Sequence, residues 1–146
     1  TAIAAGGAGL TIAKLRTAKQ TFDLASVDPS IPRHIVVGPE QITNLLATTE
    51  VTSSDFNTVK ALVQGELDSF LGFKFTVSNR LAKSGNDRTC IAFAQDGITL
   101  AIGKDVSARI DERADKSYAT QVYYCQSIGA TRMEEAKVLG IVCQEA

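Results

Sequence analysis

"PRHIVVGPEQITNLLATTEVTSSDFNTVKALVQGELDSFLGFKFTVSNRL", residues 32–81, switches between two periodicities, and that alternation decides the fold class. It opens on HIVV (34–37), a short apolar run released from the proline-rich turn VDPSIPR (27–33), which reads as a strand. GPEQITNLLA (38–47) reads as a helix. Pro39 suits its first turn, Glu40 its positive end, and Ile42, Leu45 and Leu46 face inward. VTSSDFNTVKALVQG (51–65) reads as a second helix, capped by Ser53 or Ser54 and stopped by Gly65. Its stripe is Phe56, Val59, Leu62 and Val63. In GFKFTVS (72–78), Phe73, Phe75 and Val77 alternate with Lys74 and Thr76, the pattern of a half-buried strand.

Upstream, Thr11 to Phe22 predicts a helix with Ile12, Leu15, Ala18, Lys19 and Phe22 on one side through apolar stems and rings, while Lys14, Arg16 and Lys19 make the other surface basic. Downstream, AKSGNDR (82–88) is polar and rich in turn formers, and the expectation is a mobile loop. CIAFA (90–94) predicts a strand, and QDGITLAIG (95–103) a short helix capped by Asp96. Val106, Ala108 and Ile110 alternate with polar residues. YATQVYYCQSIGATR (118–132) and KVLGIVCQE (137–145) complete a strand-rich second half. Helices early and strands late define an α+β chain.

The 146 residues suffice for one well-cored domain, and no apolar run approaches the roughly 18 residues of a membrane span. The net charge of −1 gives no electrostatic footprint for nucleic acid. The chain begins at Thr1 and its only methionine is Met133, so a cleaved or partial chain is expected. No leader pattern opens it, and the expectation is a soluble intracellular product. Cys90, Cys125 and Cys143 sit in apolar settings without any CxxC pair, which predicts buried thiols. Cys125 and Cys143 could meet if their strands pair.

The glycines of AAGGAGLTIAKLRTAKQ (4–20) raise the possibility of a phosphate cradle. Both spacing tests fail. Leu15 follows Lys14 where a Walker loop needs Ser or Thr, and Ile12 stands where a dinucleotide fingerprint needs its third glycine. A connection into a helix capped by Thr11 is the expectation. The single histidine, His34, has no nucleophile in a recognisable elbow. No catalytic, cofactor-binding or metal-binding residue is assigned. Mixed-sign clusters remain: Arg109, Asp111, Glu112, Arg113, Asp115 and Lys116, then Arg132, Glu134, Glu135 and Lys137. Such clusters mean a solvated surface or a salt-bridged interface, and composition does not choose between them.

The stretch 32–81 resembles the middle of tailed-bacteriophage major capsid proteins: an arginine before a strand, a Pro-led helix ending in Leu-Leu, VTSSDFN, ALVQGEL and GFKFTVSNRL. YYCQSIGATRMEEAKVLGIVCQE (123–145) is similar to that family's closing pattern. LTIAKLRTAKQTFD (10–23) and CIAFAQDGITLAIGKDV (90–106) resemble its intervening segments, in order. The resemblance implies the Johnson fold, with residues 1–33 and 118–146 in a peripheral domain and 34–117 in an axial domain. It also implies that an N-terminal arm, extended loop and spine helix would lie before Thr1. The function implied is a major capsid subunit in an icosahedral virion head, assembled from pentamers and hexamers in the bacterial cytoplasm. Scaffolding, portal or decoration proteins would be partners, and no sequence-specific nucleic acid, membrane or cofactor is implied. Arg109, Asp111, Glu112, Arg113, Arg132, Glu134 and Glu135 become candidate inter-subunit contacts. The alternatives are an encapsulin-like compartment shell of the same fold, or a small ligand-binding domain or enzyme.

Overall fold

In the computed structural model, residues 2–47 and 69–145 are described. They form two compact units, Thr1–Ile98 with Met133–Ala146, and Thr99–Arg132. The expected helix over 51–65 lies outside the described residues, as does the side chain of Leu46.

In the first unit, α1 (Ile12–Leu24) forms where the apolar spacing predicts it and buries Ile12, Leu15, Ala18 and Phe22. Thr11 caps it by accepting the Lys14 N–H at 3.4 Å. Its C-terminus closes with two bonds: the Val27 N–H donates to Phe22 O at 3.1 Å, and the Ser26 N–H to Asp23 O at 3.1 Å. This pair defines a Schellman motif, which requires a left-handed residue after the helix; Ser26 takes that role at φ 55°. The next chain segment is pinned by Arg33, itself buried. Its Nη2 donates to Asp23 Oδ1 at 2.8 Å and to Val27 O at 3.1 Å, and its guanidinium carbon lies 5.6 Å from the centre of the Phe22 ring.

One mixed sheet carries the unit. Its strands are β1 (Ala2–Ile3), β2 (Arg33–Val37), β3 (Ser69–Phe70), β4 (Phe73–Val77), β5 (Lys83–Ser84), β6 (Asp87–Ala94) and β9 (Val138–Gln144). They lie in the order β1-β9-β6-β2-β4-β3, with β5 folded onto β6. Ile35 faces Ala92 and Phe75, and Cys90 faces Ile141. One sheet face therefore gathers Ile35, Val37, Phe73, Cys90, Ala92, Ala94, Leu139, Ile141 and Cys143. These form a single core with the inner stripe of α1 and with Leu45 of α2 (Pro39–Ala47). Phe22 and Phe73 meet tilted, their centroids 6.0 Å apart.

The second unit is a ribbon of two long strands. These are β7 (Ile98–Arg113), whose first residue belongs to the first unit, and β8 (Ala119–Arg132). A 3-10 turn, Ala114–Lys116, and two left-handed residues, Ser117 and Tyr118, join them. Gly103 lies against Ser127. Among the described residues none of Thr99–Arg132 is in the buried hydrophobic cluster, and Leu100, Ile102, Val106, Ile110, Val122, Tyr124 and Ile128 are exposed.

Several expectations are corrected. Residues 95–103 do not make a helix: only Gln95–Gly97 turn, and β7 starts at Ile98. Asp96 does not cap, because its carboxylate accepts from Lys137 Nζ at 2.6 Å. Gly97 presses on Lys137, whose carbonyl oxygen would lie 2.9 Å from a Cβ there. The β-branched residues that follow then pair as strand. Residues 82–88 close as a tight hairpin in which Ser84 faces Asp87 and Gly85 takes φ 61°. Lys19 faces solvent, whereas Lys14 turns inward. Val77 ends β4 exposed. Cys90 and Cys143 are buried, but Cys125 is only half-buried on β8, whose strand partner is β7 rather than β9.

Ser26 bears the ordinary penalty of an L-residue in the left-handed region, so Ser26→Gly is expected to raise stability by about 1 kcal/mol. Urea unfolding followed by circular dichroism measures it. Loss of stability would show that the serine side chain compensates its own backbone.

Candidate functional site

The glycine turn that precedes α1 is built for packing. Gly6 and Gly7 adopt φ 57° and 68°, and a Cβ on Gly9 would collide with Asn44 of α2. The ammonium of Lys14 lies behind the turn and donates to Ala8 O at 2.7 Å, Gly9 O at 2.9 Å and Val142 O at 3.1 Å. The cation that a phosphate would need is thus occupied by carbonyls, tying the turn to β9. An open cleft of about 450 Å³ beside it is lined by Gly7, Gly9, Thr11, Asn44, Gln144 and the Glu145 carboxylate among others. Among the described residues its lining includes Glu145 and no lysine or arginine that would draw an anion.

Glu145 anchors the far end of β9. Its carboxylate, 3% exposed, pairs with Lys83 Nζ at 2.5 Å and with Arg88, and accepts from Gln41 Nε2 at 3.0 Å. Its backbone N–H donates to Asn86 O at 2.7 Å. Arg88 reaches on to Asn79, donating to its side-chain oxygen at 3.0 Å. Gly38 leaves the room that Gln41 fills, since a Cβ there would meet Gln41 Oε1. Three elements (α2, the β5–β6 hairpin and β9) therefore converge on one acid. Hydrogen bonds from Lys83, then Arg88 and Gln41, hold its carboxyl down at about 2.

The remaining candidates carry no reactive constellation. His34 is half-buried and stacks on Phe93, with centroids 5.6 Å apart. Cys90 faces Ile141, which makes Cys143 its diagonal neighbour. Both cysteines are free thiols, hydrogen-bonded to one another and not bridged. The hydrogen bond with Cys143, and then burial, push the Cys90 thiol up. Among the described residues no cluster of His, Cys, Asp and Glu is arranged for a metal ion, and no helix is long and apolar enough to cross a membrane.

The charged candidates fall in three places, all exposed. Arg109, Asp111, Glu112 and Arg113 occupy the distal part of β7, where Arg113 Nε donates to Asp115 at 2.9 Å. Arg132 ends β8. Glu134 and Glu135 belong to the first unit, and Glu134 pairs with Lys137 at 2.9 Å. Arg109 and Asp111 share a groove with Ser107, Gln121 and Tyr123 and have no ion-pair partner among the described residues. The Lys14 clamp and the Glu145 junction were not legible, because their partners lie up to 128 residues away in sequence.

The described residues comprise an α+β unit built on one mixed sheet, and a two-stranded ribbon whose apolar side chains are exposed. A structure from Mycobacterium phage Che8 is 19% identical, with a TM-score of 0.75 over 97% of this chain and 52% of that chain. The capsid of cyanophage P-SCSP1u is 15% identical, with a TM-score of 0.69 over 92% and 46%. The encapsulin complex of Synechococcus elongatus is 8% identical, with a TM-score of 0.62 over 96% and 51%. The chain spans about half the length of the solved chains it matches. A family model described as phage capsid protein matches residues 1–145, and the chain belongs to that family. Comparison with curated proteins finds no match.

Ionised Glu145 contributes its stabilisation fully above the ordinary carboxyl value of 4.5, and that contribution is lost as pH falls through about 2. Thermal melts are expected to keep a constant Glu145 contribution from neutral pH to 4.5 and to lose it below. Glu145→Gln should melt lower at neutral pH and fall less steeply in acid. Parallel acid profiles for the two proteins would exclude the junction as the titrating element.

Proposed function

We propose that this chain forms part of a major capsid subunit, a structural protein of the icosahedral head of a tailed bacteriophage. Copies assemble as pentamers and hexamers in the host cytoplasm, with scaffolding, portal or decoration proteins as further partners. The observation that carries this reading is the family match over residues 1–145. The ribbon supports it, because a two-stranded sheet that buries nothing of its own is marginal in water and calls for neighbouring protein. The division into peripheral (1–33, 118–146) and axial (34–117) parts belongs to the same proposal. So does a contact role for Arg109, Asp111, Glu112, Arg113, Arg132, Glu134 and Glu135. No step of this role needs a nucleophile, metal or cofactor.

The likeness to an encapsulin favours one second reading, a cargo-compartment shell. Particle contents separate the two: packaged DNA in a phage head, a protein cargo in a compartment. Electron microscopy of the complete gene product expressed in bacteria tests both. Closed particles of uniform size are expected. A product that stays monomeric at high concentration would overturn the shell assignment.

A further inference from the structure

β7, sixteen residues long, pairs on one side with β8 and, among the described residues, with no strand on the other. A long free edge is a template for another strand; proline, bulges and charged side chains blunt it, save where the incoming strand pairs those charges. No proline interrupts β7, and its distal charges alternate in sign along one face: Arg109, Asp111, Arg113. Arg113 is engaged by Asp115, which leaves Arg109 and Asp111 as adjacent, opposite and unspent charges flanking Ile110. Ile110 itself is 71% exposed.

We propose that two copies of this chain join edge to edge through β7, antiparallel, about a twofold axis at Ile110. In that register Arg109 of each copy stands opposite Asp111 of the other, and Ile110 meets its own equivalent. The overlap runs from Ser107 to Arg113 of each strand. Neighbouring registers are disfavoured. An axis at Asp111 sets Asp111 against itself and Arg109 against Arg113, and an axis at Arg109 sets two guanidinium groups together. Like charges directly opposite destabilise a strand pair. A twofold axis perpendicular to the sheet also makes the contact isologous, so that one patch serves both copies. The product is a four-stranded sheet, β8-β7-β7-β8, past the size at which a hairpin is marginal. Val106 and Ile110 of both copies then line one continuous apolar face. This contact deepens the capsid reading and rests on it, since it names one surface by which copies meet.

The experiment is a charge swap in the complete gene product, with folding checked by circular dichroism. Arg109→Asp and Asp111→Arg should each reduce particle yield on the order of tenfold, and the double variant should recover it. In a second measurement, Ile110→Cys treated with oxidised glutathione should give a disulfide-linked dimer above the wild-type background, which already contains Cys125, while Val106→Cys should not. Single swaps that assemble like wild type, a double swap without recovery, or no Ile110→Cys dimer would each overturn the β7 contact. All three outcomes leave the capsid reading standing if wild type forms particles. A wild-type product that never assembles overturns that reading, and this contact with it.

Discussion

Everything in the first unit depends on where β9 sits. The last strand of the chain is inserted between β1 and β6, so residues near the two ends of the sequence become neighbours in one sheet. Leu139, Ile141 and Cys143 then complete the face that α1 covers. That arrangement closes only if the C-terminal end of β9 is held. Lys14 does this from the helix by donating to Val142 O, and the Gln144 N–H donates to Ala8 O at 3.1 Å. Beyond them Glu145 gathers two cations and an amide at a site almost sealed from solvent. A buried carboxylate is tolerable only when paired and hydrogen-bonded, and here its partners come from three different elements. The junction therefore serves registration as much as stability: a slip of β9 by one residue would move Glu145 away from Arg88 and reverse the faces of Leu139 and Ile141.

Local physics was legible where the partner lay within a few residues. The α1 stripe, the Thr11 cap, Pro39 opening α2 and the alternation of Phe73 to Phe75 in β4 are all decided by neighbours three or four positions away or fewer, and each is readable. Lys14 was misassigned to the outer surface because its acceptors include Val142, and nothing in a helical wheel signals a carbonyl 128 residues distant. Residues 95–103 misled for a related reason. Asp96 is a good cap in isolation, but Lys137 claims its carboxylate, and Gly97 is needed for close approach to that same lysine's backbone. At 82–88 the polar composition indicated a turn correctly. What it could not indicate was that the flanking residues pair, with the Glu145 N–H donating to Asn86 at the hairpin tip.

Interfaces are the hardest feature to read from one chain, and the charged candidates illustrate why. Glu134 and Arg113 belong to the same kind of mixed cluster as Arg109 and Asp111, yet the first two are engaged within their own unit. Opposite charges close in sequence satisfy one another when a turn brings them round, as at Arg113 and Asp115. They remain unsatisfied when an extended strand holds them apart on one face, as at Arg109 and Asp111. Extended structure, not composition, is what makes a charge pair available to a second molecule.

The ribbon and the sheet unit follow opposite stability logic. In the sheet unit the core face of the sheet packs with α1 and Leu45, and an exposed apolar side chain such as Leu24 is ordinary for a protein surface. The ribbon instead displays Leu100, Ile102, Val106 and Ile110 at alternate positions of one strand and Val122, Tyr124 and Ile128 on the other. Such regularity over some 16 and 14 residues is the signature of a sheet face that is meant to be covered. Two left-handed residues at the tip, Ser117 and Tyr118, add local strain that a two-stranded sheet does little to offset. An isolated hairpin with those properties is marginal in water. Its sequence retains β-branched and aromatic residues on a surface that water alone would favour making polar. On the capsid reading proposed above, the ribbon would be half of a contact whose other half neighbouring protein supplies.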